Sequence, residues 1–346
     1  LYELLKEKGC LKDKEVHRVA FYEVTKSAVQ NAIKNPRELS SNLIDAQQAR
    51  RALDYLVGFN LSPLLWRKIQ KGLSAGRVQS PALRMIAERE KEIDDFKTRE
   101  YWSIESDLEF KGSEFLAKLT EFNNEKIKKF SIEKTKQAFN MKSVLEKLSA
   151  GEMLVKSVTK KQRKRQPTAP FITSTLQQEA IRKLGFTAQW TMRIAQQLYE
   201  GIDIGEGSVG LITYMRTDSV NLAKEALTEI RTFISSRYGK NSLPEEARVF
   251  KTKSKNAQEA HEAVRPTSVT RVPNDIKDSL TDEQFKLYEL IWKRTMASQM
   301  RHATIDSVAV DMSCGDGNLF RANGSSIADP GFMQVYLEGV DDSENK

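Results

Sequence analysis

The chain has 346 residues, enough to bury several hydrophobic cores, so two to three domains is the expectation. Lys and Arg number 55 against 47 Asp and Glu, a formal net charge of +8; the surplus fits a nucleic-acid partner, although many housekeeping proteins share it. Cys10 and Cys314 stand far apart, there is no Cys-x-x-Cys and there are three histidines, which argues against a structural zinc site and fits a reducing, cytoplasmic compartment. No apolar run approaches membrane-spanning length, and Leu1–Lys6 is neither a signal peptide nor a start with methionine, so the chain reads as a piece of a longer protein with no membrane partner.

Residues 1–39 begin with a short helix pattern ending near Lys8-Gly9, then an expected strand over His17–Tyr22 and a helix through Ser27–Ile33. Residues 41–96 read as helical throughout: Leu43, Ala46, Ala49, Leu53, Leu56 and Val57 mark one helix, Ser62-Pro63 starts a second with proline in its first turn, and Ala82, Met85, Ile86 and Ile93 mark a third. The period then changes. Trp102, Ile104, Leu108 and Phe110 alternate with polar residues, Lys111-Gly112 is a turn signal, and Phe115, Ala117 and Leu119 alternate again, which predicts a β-hairpin with one wet face. Lys160–Pro167 is a basic connector, expected as a solvated hinge. Residues 171–300 return to helix apart from a strand near Tyr214, with Phe285, Tyr288, Ile291, Trp292 and Met296 lining one late helix; β-prone runs reappear from Thr304 to Phe320 around Cys314–Asn318. The fold class is therefore mixed α and β, multidomain, with the two β segments joined into one domain and a helical segment inserted between them.

The segment with most chemistry is Leu211–Ser219. Val209–Met215 is a short apolar, β-branched run that predicts a buried strand, on which Tyr214 and Arg216 share a face. Asp218 or Ser219 would then cap a helix through Asn221–Leu227, ended by Gly239, and a helix start offers free N–H groups to a phosphate. A tyrosine hydroxyl ordinarily ionises near pH ~10, so a neighbouring cation such as Arg216 would favour the phenolate and grip a phosphate with two parallel hydrogen bonds. A strand-end tyrosine that merely satisfies a neighbour has the same spacing, and spacing alone favours that plainer account.

Other segments have the same double character. Arg50 and Arg51 lie on a helix about 100° apart, so one can hold a phosphate while the other pairs with Asp45 or Asp54, or both simply face water. Phe59 and Trp66 offer either stacking surfaces for unpaired bases or helix–helix packing. Ser74-Ala75-Gly76-Arg77-Val78-Gln79-Ser80 is a small-residue loop ahead of a helix, where the backbone can approach a phosphate and Arg77 and Gln79 can donate. His261 and Arg265, four apart, share a face if helical, and could hold a phosphate beside Tyr214; a surface or capping histidine is the alternative.

Ile212-Thr213-Tyr214-Met215-Arg216-Thr217-Asp218-Ser219 resembles the active-site motif of the bacterial type IA DNA topoisomerases, the topoisomerase I class. Asp45–Arg51, Leu73–Ser80, Pro170–Ala180 and Ala260–Thr267 resemble family motifs in the family's order, so the resemblance covers nearly the whole chain. It implies a toroidal core fragment: 1–39 the tail of a toprim domain, 40–96 a helical base, 97–168 and 301–346 two parts of a β-rich arch, and 169–300 a helical domain carrying the tyrosine. It implies a parent enzyme that relaxes negatively supercoiled DNA, ATP-independently, by transient single-strand cleavage through a 5′-phosphotyrosine. Tyr214, Arg216 and His261 would serve the chemistry. Arg50, Arg51, Asp54, Phe59, Trp66, Ser74–Gln79, Thr217, Asp218, Ser219 and Arg265 would contact single-stranded DNA.

Two positions depart from the family pattern: Tyr55 stands where relatives carry arginine and Phe59 where they carry tyrosine, which reopens the base preference at the cleavage site. The family's leaving-group acid and Mg²⁺-binding acids belong to a toprim domain ahead of this chain, no Asp-x-Asp-x-Glu run occurs here, and zinc ribbons would lie downstream. The implied cofactor is therefore Mg²⁺ held outside the chain with no metal site within it, and the implied state a bacterial, nucleoid-associated monomer whose fragment is inactive alone. The rival readings are a topoisomerase III or reverse-gyrase type member of the class and a non-catalytic clamp on single-stranded DNA.

Overall fold

A computed structural model of the chain describes residues 2–12, 14–205, 207–251 and 262–339. It divides into two compact units, each treated by itself: Leu1–Arg18, Arg37–Ile104 and Lys126–Leu148 form the first, and Val19–Pro36, Glu105–Glu125 and Ser149–Lys346 the second.

The first unit is helical. It contains α1 (Tyr2–Glu7), α3 (Ser41–Lys68), α4 (Gln79–Asp94) and most of α5 (Thr135–Ser149), while α2 (Lys26–Lys34) belongs to the second unit. Ser40 caps α3, its hydroxyl accepting from the Leu43 N–H at 3.4 Å. The expected break at Ser62-Pro63 does not occur: α3 is one 28-residue helix with Pro63 inside it. Proline's fixed φ is compatible with helix, and although it removes one hydrogen bond and crowds the preceding turn, α3 continues through it. The strand expected over His17–Tyr22 is reduced to one bridge, Arg18↔Arg37, because Val19 and Phe21 stay exposed and gain no partner strand.

The second unit joins a sheet to a helical core. β1 (Glu105–Phe110) and β2 (Ser113–Phe122) form the expected hairpin, and Lys111 and Gly112 take φ of 53° and 77°, as a two-residue turn with both centres left-handed requires. The two-residue β3 (Glu125–Lys126) adds to β2. With β4 (Leu154–Arg165), β7 (Ala303–Ser313) and β8 (Leu319–Asp329) the sheet order is β1-β2-β8-β7-β4, so the two β segments do join as the alternation predicted. The basic connector is not a hinge. Lys160–Arg165 is the end of β4, which pairs with β7 from Leu154↔Ser313 to Arg165↔Ala303 with one register shift between Val155 and Ser157. Every β4 residue is exposed, so its cations are accommodated, and charge on an edge strand also discourages pairing with another chain.

The core of this unit lies among α6 (Thr173–Leu184), α7 (Ala188–Glu200), α8 (Lys224–Tyr238) and α9 (Asp282–Ser298), with a short hairpin of β5 (Ile202–Asp203) and β6 (Ser208–Val209). Phe171, Leu176, Leu198, Leu211, Ile212, Met215, Ile230, Ile234, Leu287, Tyr288 and Ile291 are its fully buried centre. α9 begins with a reciprocal cap, Thr281 Oγ1 accepting from Gln284 N–H at 3.3 Å and Gln284 Oε1 from Thr281 N–H at 2.9 Å, and buries the face that the sequence marked.

Candidate functional site

Tyr214 sits on a stretch held on both sides by backbone. Gly210 N–H donates to Val24 O at 3.0 Å and Tyr214 N–H to Tyr22 O at 2.8 Å; Leu211 N–H donates to Leu198 O at 2.7 Å, and Thr213 N–H to Arg265 O at 2.9 Å. Ile212 bridges Pro266, but no longer strand forms: β6 ends at Val209 and bends at Met215 and Arg216 interrupt the expected ladder. The alternation survives in burial. Thr213, Met215, Thr217 and Ser219 are buried, Tyr214 is half-buried, and Arg216 and Asp218 are exposed, so the tyrosine and arginine do share the outward side.

Two sequence motifs converge on this stretch. Thr173, in the Pro170–Ala180 motif, accepts from Thr217 N–H at 2.9 Å and donates towards the carbonyls of Met215 at 2.8 Å and Thr217 at 3.0 Å. Thr213 donates to Ala263 O at 2.7 Å and accepts from Arg265 N–H at 3.0 Å, tying in the Ala260–Thr267 motif. Thr217 and Ser219, expected at the DNA surface, turn their hydroxyls inward: Thr217 Oγ1 accepts from Ser219 N–H at 3.1 Å, and Ser219 Oγ from Asn221 N–H at 3.2 Å. Such side-chain-to-backbone turns compete with helix, which is why α8 starts only at Lys224, with Ala223 rather than Asp218 or Ser219 as its cap residue.

Arg265 is not helical, and its guanidinium is enclosed. Nε donates to Glu262 at 2.7 Å, the terminal nitrogens to Glu23 at 3.1 Å and Pro266 O at 2.9 Å, and the side chain is 8% exposed. His261 lies outside the described residues. Arg216 makes no ion pair among the described residues. The Tyr199 ring meets that of Tyr214 edge-to-face, centroids 5.3 Å apart at 65°, and its own hydroxyl is pushed above the ordinary tyrosine range by burial and then by the neighbouring Tyr214.

In the first unit the other predicted residues gather on α3 and the loop before α4. Arg77 forks onto Asp54, Nε–Oδ1 2.7 Å and a second contact at 3.3 Å; this hydrogen-bonded partner, with help from the charge of Arg50, holds the Asp54 carboxyl below the usual carboxylate range. Ala75 N–H donates to Ser62 Oγ at 3.2 Å, Trp66 Nε1 to Leu73 O at 2.5 Å, Gln79 to Ser74 Oγ at 3.0 Å and Gly76 N–H to Ser80 Oγ at 3.2 Å. The loop is thereby drawn onto the helix, and Asp54, expected to serve Arg50 or Arg51, serves Arg77 instead. Val78 is exposed and precedes α4 without a side-chain cap. Arg51 lines an open cleft of about 960 Å³ with Gln47, Gln48, Arg18 and Tyr55, and Phe59 stacks on Tyr55 at 4.5 Å with both rings exposed.

Sequence reasoning missed Glu23, Thr173's pinning role, Tyr199 and Gly210. Only Gly210 left a signal, a glycine interrupting an apolar run: a Cβ there would stand 2.6 Å from Tyr199 O and 3.1 Å from Val24 O.

A family model described as DNA topoisomerase matches residues 38–346. DNA topoisomerase 1 of Xylella fastidiosa is 57% identical over 340 residues, 98% of this chain and 42% of that protein. DNA topoisomerase 1 of Rickettsia bellii is 55% identical over 350 residues, covering 99% and 43%. The structure of full-length topoisomerase I from Thermotoga maritima superposes with a TM-score of 0.78 at 34% identity, over 98% of this chain and 55% of that one. The chain thus spans less than half the length of these curated relatives, and over that span it belongs to the bacterial type IA DNA topoisomerase family.

Proposed function

We propose that the chain supplies the nucleophile and part of the single-strand path of an enzyme that relaxes negatively supercoiled DNA through a transient break in one strand. The observation that carries this is the Tyr214 stretch: a half-buried tyrosine and an exposed arginine, without an ion pair among the described residues, on the outward side of a segment whose inward side chains are locked in the core. A phenolate Oη attacking a backbone phosphorus forms the Tyr–O–P bond as the P–O3′ bond breaks, and the departing 3′ oxygen takes a proton from an acid outside this chain. Arg216 carries the charge that develops on the phosphoryl oxygens and holds them for attack. Arg50, Arg51 and Arg77 bind the strand's phosphates, His261 supports the phosphate at Tyr214, and Phe59 and Trp66 offer faces to unpaired bases. Thr217, Ser219 and Arg265 shape the loop from below and Asp218 stands at its surface.

The reading includes a Mg²⁺ ion; among the described residues no three His, Cys, Asp or Glu side chains come together. No step here runs through it; its acids belong to a toprim domain outside the chain, and the five-part domain division stands on the same proposal. We further propose that the parent acts on DNA as a cytoplasmic monomer; no helix among the described residues is long and apolar enough to cross a membrane. The relatives' name, DNA topoisomerase 1, favours that branch over a topoisomerase III or reverse-gyrase type.

In the full-length protein, labelled single-stranded oligonucleotide should become covalently attached to a peptide containing Tyr214, and Tyr214→Phe should abolish the adduct while retaining salt-sensitive binding. An adduct that survives Tyr214→Phe removes the assignment; binding with no adduct in the unaltered full-length protein leaves the clamp reading.

A further inference from the structure

We propose that Tyr199 is a positioning residue for Tyr214, its ring setting the direction in which the Tyr214 hydroxyl leaves the protein surface. The proposal rests on the reading of Tyr214 as nucleophile. A tyrosine at the end of an irregular stretch has several staggered side-chain wells open to it, and productive attack uses one of them. The backbone of Tyr214 is fixed by its bond to Tyr22 O, but a backbone bond leaves the ring free to choose. Among the described residues, the aromatic ring that meets Tyr214 is Tyr199, edge-to-face at 5.3 Å, a favoured aromatic geometry.

Tyr199 is delivered in a fixed register. It lies in the last turn of α7, next to Leu198, whose carbonyl takes the Leu211 N–H at 2.7 Å. Gly210 lies so close beneath the Tyr199 carbonyl that a Cβ would come within 2.6 Å of it. The end of α7 and the Gly210–Tyr214 stretch are thus locked backbone to backbone, and the Tyr199 ring cannot shift along Tyr214. Burial keeps the Tyr199 hydroxyl protonated well beyond neutral pH, so it adds no second negative charge beside a phenolate.

The test uses the full-length protein and a short single-stranded oligonucleotide, reading affinity and single-turnover adduct formation at saturation separately. Tyr199→Ala should lower the saturating cleavage rate about tenfold or more with affinity unchanged, and Tyr199→Phe, which keeps the ring, should restore it. Phe233→Ala, which truncates the ring set against Trp292 in the same core, is the stability control: similar destabilisation with normal cleavage. The proposal is overturned if Tyr199→Ala cleaves at the wild-type saturating rate, if Phe233→Ala loses cleavage equally, or if Tyr199→Phe fails to rescue. Should Tyr199→Ala not fold, Tyr199→Leu replaces it, with slow cleavage expected and wild-type cleavage overturning. An adduct in the unaltered protein that maps to a residue other than Tyr214 is a separate result, and removes the underlying reading instead.

Discussion

Asp54–Arg77 and Glu23–Arg265–Glu262 are both arginine–carboxylate contacts that join segments distant in sequence, and both arginines come from motifs that resemble DNA-contact elements. Their surroundings differ. Arg77 and Asp54 have side chains 32% and 48% exposed, whereas Arg265 is 8% exposed and its two carboxylates 21% and 17%. An exposed pair is screened and held only loosely, so its arginine can pass to a phosphate at little loss. A buried pair has shed its water, and removing one partner strands the other's charge. The same residue type in two like motifs is therefore an exposed group, free to serve the strand as proposed, in one region and a fastener beneath the Tyr214 loop in the other.

The largest effect that would break this comparison is at Arg265. Arg265→Met leaves the part-buried carboxylates of Glu23 and Glu262 without their arginine, Glu23 keeping only the Thr25 hydroxyl, and should destabilise the folded state by about 3 kcal/mol, read by denaturant unfolding, whereas Arg77→Ala should leave the unfolding midpoint nearly unchanged. Near-equal losses for the two would erase the distinction. Met215→Ala tests the same point without charge: the residue is fully buried under the loop, and truncation should cost about 2–5 kcal/mol.

Next in size is Phe59, 68% exposed and stacked on Tyr55. Phe59→Ala should leave stability within ~0.5 kcal/mol yet weaken single-strand binding by ~1–3 kcal/mol. A fall in melting temperature with unchanged affinity would make Phe59 a packing residue and move it to the buried side of the comparison.

Legibility in the sequence follows the same line. Elements with a clear period were read well: the Lys111-Gly112 hairpin, the buried face of α9, the joining of distant β segments, and the outward pairing of Tyr214 with Arg216 all follow from spacing and turn chemistry. What failed depended on partners far along the chain. The Lys160–Arg165 run looks like a hinge until β7 is laid beside it, and nothing local shows that Thr173, 44 positions back, will take the Thr217 N–H in the segment ahead of α8. Arg265 reads as a surface cation because the carboxylate of Glu23 that encloses it is 242 positions away.

The smallest effect concerns Asp54. Arg77's hydrogen bond, aided by the charges of Arg77 and Arg50, lowers its pKa, so the pair's contribution is complete above the usual carboxylate range and is lost only as pH falls through the lowered value. Between pH 5 and 9 the contact should show no titration of its own. If Arg77 transfers to a phosphate when a strand binds, Asp54 loses its main donor and gains an anionic neighbour, and both changes raise its pKa. A carboxyl-carbon titration of Asp54 should therefore show a midpoint below ~3.9 in the free protein and a higher one with a short single strand bound. A midpoint that stays put in the complex would mean that Arg77 never leaves Asp54, and that this pair, though exposed, is a fastener of the same kind as Arg265.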